Sequence, residues 1–209
     1  MPKFLNTKHI AAAIDELIRK AQKEIILISP FLRIPNDILF HLKEASKKGV
    51  NITLVYGKQE LKDEEWEKLD KISNIRILFS KTLHAKCYYN EEHALITSMN
   101  LYEYSEEKNI EMGIYINKQI DNDLFYDLTQ ETKRIISTAE QRIGFCIRCK
   151  KEIPYSPQKP LCYSCFDTWR EYNNEFYPEN YCHKCGYASN EENGFSICLQ
   201  SPLCPNCDD

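Results

Sequence analysis

Residues Lys23 to Tyr56, KEIILISPFLRIPNDILFHLKEASKKGVNITLVY, decide the fold. Ile25-Ile26-Leu27-Ile28 is a continuous apolar run, the pattern of a strand buried on both faces. Pro35-Asn36-Asp37 then offers a helix start, Ile38, Leu42 and Ala45 keep one face, and Gly49 after Lys47-Lys48 is a stop signal. Ile52-Thr53-Leu54-Val55-Tyr56 reads as a second buried strand. Strand, helix, strand in this order calls for a crossover, so the two strands are expected to lie parallel in one sheet.

The alternation continues on both sides. Upstream, Ile10, Ile14, Leu17, Ile18 and Ala21 recur at helical spacing and predict a helix over 7–22. Downstream come a helix over 63–71 with Trp66 and Leu69 inward, and a strand over 75–79. The pattern then changes. His84 to Tyr89 and His93 to Ser98 read as short strands about a turn at Asn90-Glu91-Glu92, and Met112 to Ile116 as a further strand. Ile120, Leu124, Leu128, Ile135, Ala139 and Ile143 mark a long amphipathic helix. The expectation is an α/β domain over 1–144, a mixed sheet flanked by helices.

A chain of 209 residues with 43% apolar residues, 28% charged residues and six Gly is neither disordered nor collagen-like. Met1 to Lys8 lacks the apolar run of a signal peptide, and no stretch approaches the length of a membrane span. A soluble cytoplasmic protein with no membrane partner is therefore expected. Residues 1–145 hold 21 Lys+Arg against 22 Asp+Glu, and 146–209 hold 6 against 9. Neither part is globally basic, so a site for a polyanion must be a local patch.

Composition shifts at Cys146: nine of the ten Cys and ten of the 24 aromatics fall in the last 64 residues, which marks a second, small domain over 145–209. Cys146/Cys149, Cys162/Cys165, Cys182/Cys185 and Cys204/Cys207 are four CxxC knuckles separated by 12, 16 and 18 residues. In a chain without an export signal this reads as metal ligation rather than a disulfide framework, and four knuckles are too many for thiol exchange. Two pairs complete a tetrahedral shell of thiolates, so the eight cysteines imply two structural Zn²⁺. Sequential pairing of the knuckles is simplest, and a cross-braced pairing has compatible spacing. Cys87, Cys198 and His183 are read as non-ligands. Tyr163, Phe166, Trp169, Tyr172, Phe176 and Tyr177 are expected to form the small core such a domain needs, with base stacking by one or two of them as the alternative. Eight thiolates and two Zn²⁺ leave the module strongly acidic, which favours a protein partner at least as much as a grip on nucleic acid.

Side chains alternate along a strand, so His84, Lys86 and Tyr88 share one face. A hairpin centred near Glu91 sets Ser98 opposite His84, with Asn100 two residues on and Glu111 before the next strand. The group suits a phosphodiester. A neutral imidazole at His84 is a nucleophile, Lys86 supplies charge, Ser98 and Asn100 supply neutral donors, and Glu111 would accept from the second ring nitrogen of His84.

His84-Ala85-Lys86, Glu91 and Thr97-Ser98-Met99-Asn100 resemble the phospholipase D superfamily signature, His-x-Lys-x4-Asp-x6-Gly-Ser-x-Asn, and Asn109-Ile110-Glu111 resembles its downstream Glu strand. Glu91 stands where Asp is usual, Thr97 stands where Gly is usual, and the interval between them is one residue short. The resemblance covers about residues 6 to 142. His41-Leu42-Lys43 is a second His-x-Lys, but it lies on a predicted helix without the Ser-x-Asn and reads as helix surface. In this family two His-x-Lys motifs meet, one histidine forming a phosphohistidine and the other protonating the leaving oxygen. A chain with one motif therefore implies a homodimer with a composite site, a bell-shaped pH profile from the histidine pair, and a nucleic-acid substrate as in the small bacterial endonucleases. No metal is implied for catalysis. A weakly catalytic scaffold of the same fold and a lipid phosphodiesterase are the alternatives.

Overall fold

In the computed structural model of the chain, which describes residues 1–57, 61–102, 109–189 and 194–208, two compact units are present, Met1–Gln141 and Arg142–Asp209. The division falls three residues before the expected 145. The long helix stops at Thr138 rather than running to Ile143, and Ile143–Phe145 is a strand.

The first unit is built on a seven-stranded sheet. Its strands are β1 (Lys3–Asn6), β2 (Glu24–Ile28), β4 (Asn51–Tyr56), β5 (Ile75–Phe79), β6 (Cys87–Asn90), β7 (His93–Thr97) and β9 (Met112–Asn117), in the order β1-β9-β7-β6-β2-β4-β5. β2, β4 and β5 are parallel, as crossover connections demand, and the remaining pairings are antiparallel. A second, two-stranded parallel pair joins β3 (Leu32–Arg33) to β8 (Leu101–Tyr102). β1 escapes sequence reading because it is four residues long and only Leu5 is even half-buried, so no alternation marks it.

Helices cover both faces. Leu27, Leu54, Tyr88 and Leu95 are fully buried on one face, toward α1 (Thr7–Lys20) and α2 (Asn36–Lys47). α1 is capped by Asn6, whose side chain accepts from the His9 N–H, and it buries Ile10, Ile14, Leu17 and Ile18. α2 ends at Gly49, whose φ of +83° is the left-handed backbone that suits glycine. α3 (Asp63–Leu69) turns Trp66 and Leu69 inward. On the opposite face Ile26, Ile28, Cys87, Tyr89, Ala94 and Ile116 pack with Phe125 and Leu128 of α4 (Asn122–Thr138). No helix among the described residues is long and apolar enough to cross a membrane.

The second unit has a small hairpin, β10 (Ile143–Phe145) with β11 (Glu152–Pro154), and one helix, α5 (Tyr163–Tyr172). Its core holds Ile147, Ile153, Leu161, Trp169, Ile197 and the cysteines. The expected aromatic core is corrected here. Trp169 alone of the six is buried, while Tyr163, Tyr172 and Phe176 are 73–75% exposed. The cysteine clusters and short aliphatic side chains already fill the small interior. His183 lies fully buried, donating from Nδ1 to the Phe145 carbonyl (2.7 Å) and accepting the Ser156 N–H at Nε2 (2.8 Å). Burial holds its pKa below the ordinary range. A Cβ on Gly144 would come within 2.7 Å of that ring, so the position has room only for glycine.

The turn between β6 and β7 is closed by Asn90, which is buried. Its Oδ1 accepts the N–H groups of Glu92 (2.9 Å) and His93 (2.8 Å), and its Nδ2 donates to the Leu17 carbonyl (2.8 Å). Asn90→Ala strands these groups, and it is expected to lower stability by about 2–4 kcal/mol, read as a lowered unfolding midpoint in urea.

Candidate active site

The residues singled out from sequence gather at one end of the sheet. His84 and Lys86 precede β6, Ser98 and Asn100 follow β7, and Glu111 precedes β9. This is also the carboxyl end of β2 and β4, where ligands of open α/β sheets bind.

The detailed pairing differs from the sequence expectation. Cys87 faces Ile96 and Tyr88 faces Leu95, one residue out from the expected register, and the strand begins at Cys87 rather than His84. The Thr97 N–H donates to the Lys86 carbonyl (3.3 Å), which puts Ser98 level with Ala85 and not with His84. On its other side Ser98 lies beside Met112. The Ser98 N–H donates to the Met112 carbonyl (3.0 Å), and Ser98 Oγ accepts the Met112 N–H (3.1 Å) and donates to the Glu111 carboxylate in a short contact.

Glu111 is buried, and its main chain is tied to α1. Its N–H donates to Thr7 Oγ1 (2.9 Å), which in turn donates to the Glu111 carbonyl (3.4 Å). The expected bond from His84 to Glu111 is not formed. The register gives that carboxylate to Ser98, and among the described residues the exposed His84 imidazole has no hydrogen-bond partner. Lys86 turns its Nζ back onto the His84 carbonyl (3.0 Å). Thus Ser98 and Glu111 form one contact, His84 and Lys86 form another, and Asn100 stands beside them with its buried Oδ1 unpartnered.

Three buried hydroxyls outside the set of candidate site residues hold Ser98-Met99-Asn100 in place. Tyr88 Oη donates to the Met99 carbonyl (2.8 Å), and burial pushes its phenol well above the ordinary range, so it remains a donor. Ser29 Oγ accepts the Leu101 N–H (2.9 Å) and donates to the Phe31 carbonyl (2.8 Å). Thr97, at the usual glycine position, donates to the Met112 carbonyl (3.0 Å) and accepts the Met99 N–H (3.1 Å). Gly113 opposite is the residue that gives way, since a Cβ there would lie 3.1 Å from that of Thr97. A hydroxyl three residues before a signature Asn, with a glycine opposite, was the available signal.

Glu91 does structural work. Burial opposes its charge, but the backbone N–H groups of Gln22 (2.8 Å), Lys23 and Glu24 (both 3.3 Å) donate to its carboxylate and hold its pKa below the ordinary range. Cys87 is buried, which pushes its thiol up to about 12 and leaves it an inert apolar group. His41, on α2, pairs with Asp15 (3.1 Å).

In the second unit Cys146, Cys149, Cys162 and Cys165 form one group and Cys182, Cys185, Cys204 and Cys207 another, so the knuckles pair sequentially rather than cross-braced. Within each group the sulfurs lie within 4.8 Å of one another. Cys149 and Cys162 are 3.7 Å apart, and Cys185 and Cys204 are 3.8 Å apart. Four thiolates at Zn–S distances of about 2.3 Å in a tetrahedron have edges of about 3.8 Å, so both groups fit a four-coordinate metal. Burial works against an ionised Cys182, yet N–H donors from Cys185, Cys204 and Lys184 bring its thiol down to about 7, as suits a ligand. Cys198 and His183 belong to neither group.

Residues 14–137 match the family described as cardiolipin synthase, PLD-like domain. No curated protein matches the chain. Among solved structures it resembles NucT from Helicobacter pylori, with a TM-score of 0.59 at 13% identity over 68% of this chain and 99% of that one. Nuc from Salmonella typhimurium, a phospholipase D family member, matches with a TM-score of 0.50 at 17% identity over 62% and 93%. TrmBL2, an archaeal chromatin protein with a novel mode of DNA binding, matches with 0.51 at 16% over 66% and 53%. At these identities the likeness is one of fold.

Thr97→Val keeps the shape and removes both bonds of the hydroxyl. It is expected to cost about 1–3 kcal/mol in stability through the stranded Met99 N–H, the Met112 carbonyl keeping its bond from the Ser98 N–H, measured by thermal unfolding.

Proposed function

The chain belongs to the PLD-like domain family, and on that premise we propose that it is a metal-independent phosphodiesterase, an endonuclease cleaving DNA or RNA through a phosphohistidine in a homodimeric site. The observation that carries the reading is the gathering of His84, Lys86, Ser98, Asn100 and Glu111 at one end of the sheet, from three strand ends. His84 attacks phosphorus, an N–P bond forms, and the P–O bond to the leaving oxygen breaks. The partner subunit's His84 gives that oxygen its proton and then takes one from the water that cleaves the N–P bond. Lys86 and Asn100 face the phosphoryl oxygens, Lys86 exchanging its carbonyl contact for the substrate. The Glu111 carboxylate holds Ser98.

Two features support the homodimer. This chain brings one His-x-Lys to the site, and a second imidazole must come from elsewhere. Beside Ser98, on the sheet face that α4 covers elsewhere, Phe4, Ile114 and Ile96 stand side by side in adjacent strands, 67%, 38% and 44% exposed, with Met112 next to them at 60%. Large apolar side chains bare to water beside an incomplete site suit a second copy of the chain. The exposed aromatics of the acidic second unit suit a protein partner or one or two stacked bases. The two cysteine groups each hold one Zn²⁺ as a structural ion, and free thiolate ligands suit the cytoplasm.

His84→Ala is expected to abolish cleavage of plasmid DNA or RNA with the fold intact by circular dichroism; cleavage that survives refutes the assignment, and binding without cleavage in the native protein favours a scaffold. The family's description favours lipid as a second reading, so plasmid and phosphatidylcholine vesicles are assayed side by side. Ile96→Asp is expected to yield monomers by analytical ultracentrifugation and to lose at least about tenfold in activity. Metal analysis is expected to find two Zn²⁺ per chain and about one in Cys162→Ser, while a chelator that leaves the clusters loaded leaves cleavage unchanged.

A further inference from the structure

A cavity of about 260 Å³ opens between α1, the start of α2 and the segment Met99–Leu101, at the end of the sheet that carries the site. Asn100 is part of its wall, so the cavity adjoins the signature residue directly. Along α1 the wall is made by Lys8, Ala11, Ala12 and Asp15, spaced i, i+3, i+4 and i+7, which is one stripe of the helix. The two alanines leave a shallow shelf between charged neighbours. Ile38 and Leu101 supply apolar surface across from it. The space is smaller than the roughly 300–1,000 Å³ of pockets for drug-sized ligands, and it suits a single flat heterocycle.

The polar groups around it are unequal. Lys8 only donates, and carboxylates only accept. Asp15 is engaged by Arg19 (3.3 Å) and His41 (3.1 Å). Asp37 spends Oδ1 on the Ile38 N–H (2.9 Å), and its Oδ2 has no partner among the described residues. Two acceptors in this wall are therefore free, the buried Oδ1 of Asn100 and a carboxylate oxygen of Asp37, beside an apolar shelf and one ammonium. Building on the nucleic-acid reading above, we propose that the cavity holds the base of a nucleotide next to the scissile phosphate and favours one with an exocyclic amino group. Asp37 accepts from that amino group, as carboxylates accept from cytosine N4, and Lys8 faces a flanking phosphate. Thymine and uracil present a carbonyl oxygen at the same place, and the carboxylate repels it.

The test uses full-length protein carrying His84→Ala, which binds without cutting, and fluorescence anisotropy with labelled oligo-dC and oligo-dT of equal length. Binding to oligo-dC is expected to be about tenfold tighter. Asp37→Asn, an exposed and conservative change, is expected to erase that preference, and Ala12→Trp, which fills the shelf, to weaken both oligonucleotides. Equal affinities, a preference that survives Asp37→Asn, or no binding at all overturn the proposal. Cleavage by the native protein is scored separately. A base preference without cleavage rejects the nuclease reading and keeps the cavity, whereas cleavage without a preference does the reverse.

Discussion

The register of one hairpin governs the end of the sheet that carries the candidate site. Cys87 opposite Ile96 places Lys86 level with Thr97 and Ser98 level with Ala85, and through β9 it brings Ser98 beside Met112. A slip of one residue would turn every side chain of β7 to the other face. Leu95 would leave the core and the Ser98–Glu111 contact would be lost. Asn90 guards against this at the turn, and the hydroxyls of Tyr88, Thr97 and Ser29 guard against it at the open end. Irregular backbone at 98–101 thereby keeps its polar groups paired where the ladder ends. The orphaned Oδ1 of Asn100 is the exception, and it sits where a ligand is proposed to bind.

The second unit solves a different problem. Sixty-eight residues with a few aliphatic side chains bury too little apolar surface to stand alone, and two four-cysteine groups take the place of the missing core. His183 and Gly144 are matched to each other in the same way that Thr97 and Gly113 are matched in the first unit: a ring or hydroxyl with buried bonds, facing a residue without a Cβ. With its interior filled by sulfur and aliphatic side chains, the module buries Trp169 and leaves Tyr163, Tyr172 and Phe176 largely exposed.

Much of the fold was legible in the sequence because it rests on periodicity. The runs at Ile25–Ile28 and Ile52–Tyr56 read as buried strands, and Ile38, Leu42 and Ala45 as one face of a helix. β1 was invisible because its burial comes from pairing with β9, not from its own side chains. Ile143 kept the spacing of the preceding helix and yet belongs to a strand, since the helix breaks at Ala139 with extended backbone. The candidate site residues could be read as a set, which the fold gathers at one end of the sheet, and not as a geometry. Which hydroxyl meets which carboxylate depends on a register one residue finer than turn composition resolves. The role of Thr97 depends on Gly113, sixteen residues away and paired to it only in the folded sheet.

The proposed chemistry requires a ring nitrogen of His84 to take phosphorus. Native protein turning over a short labelled oligonucleotide, quenched in alkaline denaturant and digested, can be read by mass spectrometry for a phosphoryl-linked nucleotide on the peptide carrying His84. The account predicts that adduct on His84 and its absence in His84→Ala. Turnover that proceeds with His84 unmodified throughout would contradict it.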